Sequence, residues 1–142
     1  AATGGVIWSE VTYVRDSLSA MALTLSLMAR TGKTVSELVG TIDSMGPGGA
    51  GYSIIKKKAA LASKADAVPV VEHLAEVFGG NDGARVDTQD GVRVDWDGKG
   101  IWAHVRASNT EPIMRVIVEA PTEAIAEETA VMVEARIAEV RS

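Results

Sequence analysis

The order of elements along this chain predicts an α+β fold, in which helices cover one face of a two-layer, mainly antiparallel, four-stranded sheet. Two observations support this fold class. After residue 51 the hydrophobic pattern runs as a strand, a helix, three or four strands and a last helix, an order typical of α+β domains. The strands are short apolar runs separated by turn residues, which favours antiparallel pairing between neighbours in sequence.

The first third of the chain is predicted to be incomplete by itself. It contains a predicted strand and two predicted helices. Asp16 precedes a helical repeat of apolar residues over 17–29, and a capping box that starts at Thr34 begins a helix over about 35–44. One strand and two helices cannot bury their own apolar faces. Residues 1–50 are therefore expected to be the C-terminal remainder of a larger α/β/α domain.

A glycine-rich segment, residues 46–51, is the expected domain boundary. It reads Gly-Pro-Gly-Gly-Ala-Gly, a composition typical of turns and flexible connections. A phosphate-binding P-loop would need Gly-Lys-Ser or Gly-Lys-Thr after its first glycines, and that sequence does not follow here. We therefore expect a hinge between residues 1–50 and residues 51–142.

The second part of the chain supplies the elements of the predicted sheet. A first strand is expected over 52–59, whose three lysines suit the edge of a sheet. Asp66 is expected to cap a helix that ends at Gly79-Gly80, and Thr122 to open the last helix. The strands between these helices are short apolar runs at 84–88, 91–96, 101–106 and 113–119.

Composition and charge exclude several classes of function. The chain has no cysteine, which rules out disulfides and thiolate chemistry and is typical of a reducing cytoplasm. The longest apolar stretch, residues 20–29, is shorter than the about 20 residues that a bilayer requires. Lysines 56–58 are the main basic run in a chain of net charge −5, so we expect no nucleic-acid partner. The first residues contain neither an initiator methionine nor a signal peptide, so a processed or truncated start is expected.

One polar loop between two apolar strands carries the chemistry. Residues 106–112 read Arg-Ala-Ser-Asn-Thr-Glu-Pro, and a second arginine follows three residues later. Arginine offers a planar two-pronged donor, serine and threonine offer hydroxyls, asparagine offers an amide, and neighbouring backbone N–H groups can converge on one anion. This set of donors matches the oxygens of a phosphate. The predicted phosphate ligands are Arg106, Ser108, Asn109, Thr110 and Arg115.

Neighbouring charged residues admit other interpretations. Arg115 lies on a strand, where it either faces the phosphate or pairs with Glu119 on the same face. Glu111 is expected to order the loop, because phosphate repels a carboxylate. Asp95 and Asp97 flank a hairpin turn without a third ligand nearby, so no metal site is predicted.

These motifs resemble the C-terminal domain of the α-D-phosphohexomutases, the family of phosphomannomutase, phosphoglucomutase and phosphoglucosamine mutase. The resemblance runs from Asp90-Gly91 through the loop 106–112 and Arg115 to Glu119-Ala120. It implies a cytoplasmic isomerase of carbohydrate metabolism that transfers a phosphoryl group within one hexose phosphate. It also implies that this loop grips the phosphate of the substrate, and that residues 1–50 end the family's third, sugar-binding domain.

The resemblance further implies what these residues lack. The family uses a phosphoserine loop and a three-aspartate loop that holds Mg²⁺, and neither motif occurs in these 142 residues. Both are therefore expected in missing N-terminal domains, and this chain alone is predicted to be inactive. Thr3 matches the sugar-binding position of the family's Glu-x-Asn/Ser-Gly loop, although Ala1 stands where the family has Glu. The alternative is a stand-alone phosphosugar-binding or regulatory module without catalysis.

Overall fold

The computed structural model describes residues 5–80 and 83–140. The chain divides into two compact units, Ala1–Gly51 and Tyr52–Ser142. In the described part of the chain, no helix has the length and apolar character that crossing a membrane would take.

The first unit contains two helices, α1 (Ser17–Thr31) and α2 (Val35–Asp43). Asp16 caps α1 through its carboxylate, and Thr34 and Glu37 form the predicted capping box of α2. These hydrogen bonds satisfy backbone N–H groups that the first turn of a helix would otherwise leave unpaired. Both helices therefore begin where their sequence signals predict.

The apolar side chains of this unit are exposed. Leu18, Leu25 and Ile42 are 70, 63 and 68 % exposed, and no residue of α1 or α2 is buried. The strand predicted before α1 is absent from residues 5–16, which form turns and extended segments. This correction has a physical reason, because a strand requires a neighbouring strand to satisfy its backbone groups.

The second unit is an α+β domain, and the predicted fold class is confirmed. Its five strands are all antiparallel and lie in the order β1-β5-β4-β3-β2. The sheet has five strands and not the predicted four, because the short edge strand β2 also joins it. The elements are β1 (Ser53–Ala60), α3 (Ala67–Gly79), β2 (Arg85–Asp87), β3 (Val92–Trp96), β4 (Ile101–Ala107), β5 (Ile113–Ala120) and α4 (Glu123–Glu139).

Alternation along the strands directs one face of the sheet toward both helices. The side chains at this interface are apolar and no more than 2 % exposed. Burying each of the larger ones contributes about 1.5–3 kcal/mol. They are Val92, Val94, Ala103, Val105, Met114, Val116 and Val118 of the sheet, and Val70, Leu74, Phe78, Ala126, Ala130, Val133 and Ile137 of the helices.

The opposite face of the sheet, which points away from α3 and α4, is here called the outer face. Its positions alternate with those of the core, so Lys56, His104, Arg106 and Arg115 lie on it. Most of its side chains are polar and at least partly exposed. In β4 and β5 the pleat thus places the charged side chains Arg106, Arg115 and Glu119 on the outer face.

The start of α3 differs from the prediction in one detail. Asp66 does precede the helix, but its carboxylate accepts a hydrogen bond from the Ser63 N–H at 2.7 Å instead of capping α3. The cause is the short 3₁₀ turn Lys64–Asp66, which gives Asp66 a helical backbone and directs its side chain back along the chain.

Candidate functional site

The loop that carries the predicted ligands joins β4 to β5 at one end of the sheet. The Ser108 N–H donates to the Ile113 carbonyl at 2.9 Å and closes the loop. Arg106 and Arg115 lie directly opposite each other on the two strands, with Cβ atoms expected about 5 Å apart. The antiparallel hairpin therefore places the two arginines at directly opposite positions on the outer face.

Lys58 is a third cation beside the two arginines. Lys58 of β1 pairs in register with Arg115 of β5, so Lys58, Arg115 and Arg106 occupy adjacent positions across three strands, here called the cation row. Like charges in such positions destabilise a sheet, whereas a bound anion would neutralise them. The sequence interpretation treated Lys58 only as an edge-strand lysine. Its place in the row depends on the pairing of β1 with β5, which no local pattern reveals.

The two arginines differ in their contacts. Arg106 Nη1 lies 3.2 Å from Asp90 Oδ2, and the Arg106 side chain stays 40 % exposed. Within the described residues, the Arg115 side chain makes no ion pair or hydrogen bond. The pairing of Arg115 with Glu119 that the sequence allowed does not form, because four residues of a strand separate the two positions by about 13 Å. Glu119 instead accepts a hydrogen bond from the Trp102 indole at 3.0 Å. Both guanidinium groups keep N–H donors available.

The turn at Asp90-Gly91 packs against Arg106 and hydrogen-bonds with it. Gly91 has φ +76°, and a Cβ atom there would lie 2.2 Å from the Val105 carbonyl oxygen and 2.8 Å from the Arg106 Cα. Only glycine fits this close approach of two backbones. The Asp90 carbonyl accepts a hydrogen bond from His104 Nε2 at 2.7 Å. The same turn therefore contacts both His104 and Arg106, which are neighbours on the outer face.

Within the loop, Ser108 is the most buried of the predicted ligands. It is 7 % exposed, and its Oγ accepts a hydrogen bond from the Glu111 N–H at 3.4 Å. The Thr110 hydroxyl lies 3.5 Å from the same atom. Ser108 thus shapes the loop, and its hydroxyl proton can be donated either to Thr110 or to a ligand. Asn109 and Thr110 are exposed at the tip.

The connection between β1 and α3 donates hydrogen bonds to backbone carbonyls of the loop. The Leu61 N–H donates to the Pro112 carbonyl at 2.8 Å, and Lys64 Nζ donates to the Asn109 carbonyl at 2.9 Å. Lys58 Nζ lies 3.8 Å from a Glu111 carboxylate oxygen. Two of these contacts come from the connection and the third, that of Lys58, comes from the adjoining strand β1, and together they position the loop before any ligand binds.

The described residues do not bring together three acidic or histidine side chains that could hold a metal ion. Arg85 contacts both Asp95 and Asp97, at 3.5 and 3.6 Å. The Arg93 guanidinium also binds Asp95 through two nitrogens, and this hydrogen bonding lowers the pKa of the Asp95 carboxyl below its ordinary value. Thr3, the predicted sugar contact, lies outside the described residues.

Comparison with known proteins identifies the family. Residues 55–136 match the family model of the phosphoglucomutase/phosphomannomutase C-terminal domain. The chain belongs to this family. The matched range extends from β1 into α4 and so includes the sheet, both helices of the second unit and the polar loop. The family resemblance drawn from the sequence is confirmed.

Three archaeal mutases are similar to most of this chain. It is 33 % identical over 125 residues to a phosphoglucomutase/phosphomannomutase of Thermococcus kodakarensis. It is 31 % identical over 123 residues to a phosphoglucosamine/phosphogalactosamine mutase of Sulfurisphaera tokodaii, and 32 % over 128 residues to a probable phosphoglucosamine mutase of Methanopyrus kandleri. These matches cover 88, 87 and 88 % of the chain but 25 % of each relative. The chain thus spans about a quarter of the length of the curated relatives it matches.

Proposed function

We propose that the second unit binds the phosphate of a hexose phosphate as part of a phosphohexomutase. The observation that carries this proposal is the cation row at the polar loop. In a chain of net charge −5, Arg115 has no acidic partner among the described residues and stands between Lys58 and Arg106. A dianionic phosphate would neutralise this row and accept from several donors at once.

Each proposed ligand has a role that follows from its chemistry. The guanidinium groups of Arg106 and Arg115 neutralise the phosphate charge and donate paired hydrogen bonds. The exposed Thr110 hydroxyl and Asn109 amide donate from the tip of the loop, and Ser108 donates from its base. A hexose phosphate is the substrate class that the names of the three relatives share.

Phosphoryl transfer itself is assigned to other parts of the whole enzyme. The resemblance places the phosphoserine and the Mg²⁺ that neutralises the transferring phosphoryl group in motifs that this sequence lacks. We therefore infer that this chain holds the substrate, and that turnover requires the N-terminal domains of the same protein.

Residues 1–50 are proposed to belong to the sugar-binding domain that precedes the phosphate-binding domain. The exposed apolar side chains of α1 and α2 support this assignment, because a complete globular domain buries the apolar faces of its helices. In the complete enzyme, the remainder of that domain would cover them. Contact of Thr3 with sugar hydroxyls remains a prediction.

The phosphate assignment is tested by titrating the chain with glucose 1-phosphate and with inorganic phosphate while recording amide NMR spectra. We expect Arg106→Ala and Arg115→Ala each to weaken binding at least about tenfold, the loss typical of a hydrogen bond to a charged partner. Lys56→Ala is the matched control, since Lys56 is an outer-face lysine of β1 two residues from the cation row. Equal affinities for all three variants would contradict the assignment.

A further inference from the structure

One lysine outside the predicted site contacts the backbone of the polar loop. Lys64 Nζ donates to the carbonyl oxygen of Asn109 at 2.9 Å. The two residues are separated by 45 positions, so the contact is a product of the fold. Neither the sequence motif nor the family match assigns a role to this lysine.

The contact of Lys64 with the Asn109 carbonyl also fixes the direction of the Thr110 N–H. A peptide unit is planar and trans, so the carbonyl of Asn109 and the N–H of Thr110 point in opposite directions. Every peptide bond in the described chain is trans. Because Lys64 holds the carbonyl on one side, the Thr110 N–H is directed to the other.

The backbone donors at the tip of the loop remain available. Among the described residues, neither the Asn109 N–H nor the Thr110 N–H has a hydrogen-bond acceptor. Free backbone N–H groups that adjoin cationic side chains are a common way to bind phosphate oxygens. A cation on the carbonyl of the same peptide also polarises it and strengthens its N–H as a donor.

The segment that presents Lys64 is itself held in place. Asp66 accepts hydrogen bonds from the Ser63 N–H at 2.7 Å and from the Ser63 hydroxyl at 3.1 Å, which fixes the turn that contains Lys64. On the other side, the buried Leu61 is tied to the Pro112 carbonyl. Lys64 therefore extends from a turn that is fixed by its own hydrogen bonds and tied to the loop through Leu61.

We propose that Lys64 is a positioning residue of the phosphate site. It fixes the peptide between Asn109 and Thr110 so that the Thr110 N–H faces the bound phosphate. This inference rests on the proposed function, because it assumes a phosphate at the loop. The proposed contact of Lys64 is with the peptide and not with the phosphate.

Two variants and a control separate this role from general stabilisation. In the ligand-free chain, Lys64→Ala is expected to shift the carbonyl ¹³C resonance of Asn109 and the amide ¹⁵N resonance of Thr110, whereas Lys56→Ala should leave both unchanged. With inorganic phosphate or glucose 1-phosphate, Lys64→Ala is expected to bind roughly tenfold more weakly. The Thr110 amide proton should lose its downfield shift on binding, while the Arg106 and Arg115 side-chain signals still respond. Lys64→Arg should restore most of the affinity, since arginine can also donate to a carbonyl.

Several results would overturn the proposal. The ligand-free spectra decide it even if phosphate does not bind: unchanged Asn109 and Thr110 resonances in Lys64→Ala would mean that Lys64 does not orient the peptide. Absence of phosphate binding by the unmodified chain would instead refute the proposed function and the role of Lys64 together. Loss of affinity with a normal Thr110 shift would mean that Lys64 contacts the phosphate directly and does not act through the peptide.

Discussion

The two faces of the sheet in the second unit differ in burial and in charge. Met114 and Val105 face the helices and are 0 and 2 % exposed, whereas their chain neighbours Arg115 and Arg106 lie on the outer face. One strand therefore serves folding with every second residue and binding with the others. Substitutions one residue apart should therefore differ in effect, one changing stability and the other changing phosphate binding.

The largest effect is expected on the face that contacts the helices. Met114→Ala removes a fully buried side chain and should lower the free energy of unfolding by about 2–5 kcal/mol. Urea titration of the NMR signals of β4 and β5 measures it. Phosphate binding by the remaining folded molecules should be close to normal. If Met114→Ala lost phosphate binding without losing stability, the assignment of folding to one face and binding to the other would be wrong.

Asp95 is an exception among the charged residues of the outer face, because it is buried. It is on the outer face yet only 6 % exposed, because Arg93 covers it with hydrogen bonds from Nε and Nη2 at 2.9 and 2.7 Å. The Arg93 guanidinium in turn lies 4.5 Å above the Trp102 ring. This part of the outer face is therefore structural, and it lies away from the polar loop.

We expect Asp95→Asn to lower the free energy of unfolding at pH 7 by about 1–2 kcal/mol, since Arg93 loses a charged partner but stays partly exposed to water. Hydrogen bonding to Arg93 lowers the pKa of Asp95 in the folded state. Its contribution is thus fully present above the unfolded pKa of about 3.9 and is lost as the pH falls through the lower folded value. Urea titrations from pH 7 to pH 2 should show a weaker acid destabilisation in the variant. Parallel pH profiles would contradict this assignment.

Local signals in the sequence predicted local structure well. Thr34 with Glu37, and Thr122 before α4, form the caps that their spacing indicates, and the antiparallel sheet follows from short strands and turns. Contacts between distant segments could not be predicted in this way. The pairing of Lys58 with Arg115 depends on strand register, and the contact of Lys64 with Asn109 depends on how a turn packs against a loop.

The predicted strand of the first unit was wrong for a related reason. An apolar run can indicate a strand, but a strand forms only beside a partner, and residues 5–51 as described contain none. Asp66 shows the same limit on a smaller scale. Its position before α3 was predicted, whereas the direction of its side chain depended on a 3₁₀ turn that the sequence pattern did not reveal.

The smallest expected effect is a gain in stability, whereas the substitutions of Met114 and Asp95 are expected to lower it. Arg115→Met removes a charge from the cation row but keeps an apolar stem, so repulsion from Lys58 and Arg106 falls while packing is retained. In the ligand-free chain at low salt we expect a small rise in Tm. The difference should vanish near 1 M NaCl, where the screening length is about 3 Å.

Lys57→Met is the matched control for this last prediction. Lys57 is the chain neighbour of Lys58, but it faces α4 and pairs with Glu127 and Glu134. The hydrogen bond that Lys57 donates to Glu127 raises the pKa of Lys57, so loss of this charge should lower Tm at low salt. Opposite signs at positions 57 and 115 would show that cations on the face toward the helices support folding, whereas those on the outer face oppose it unless an anion binds. A fall in Tm for both variants would mean that Arg115 stabilises the ligand-free sheet, and the argument for an anion at the row would lose its basis.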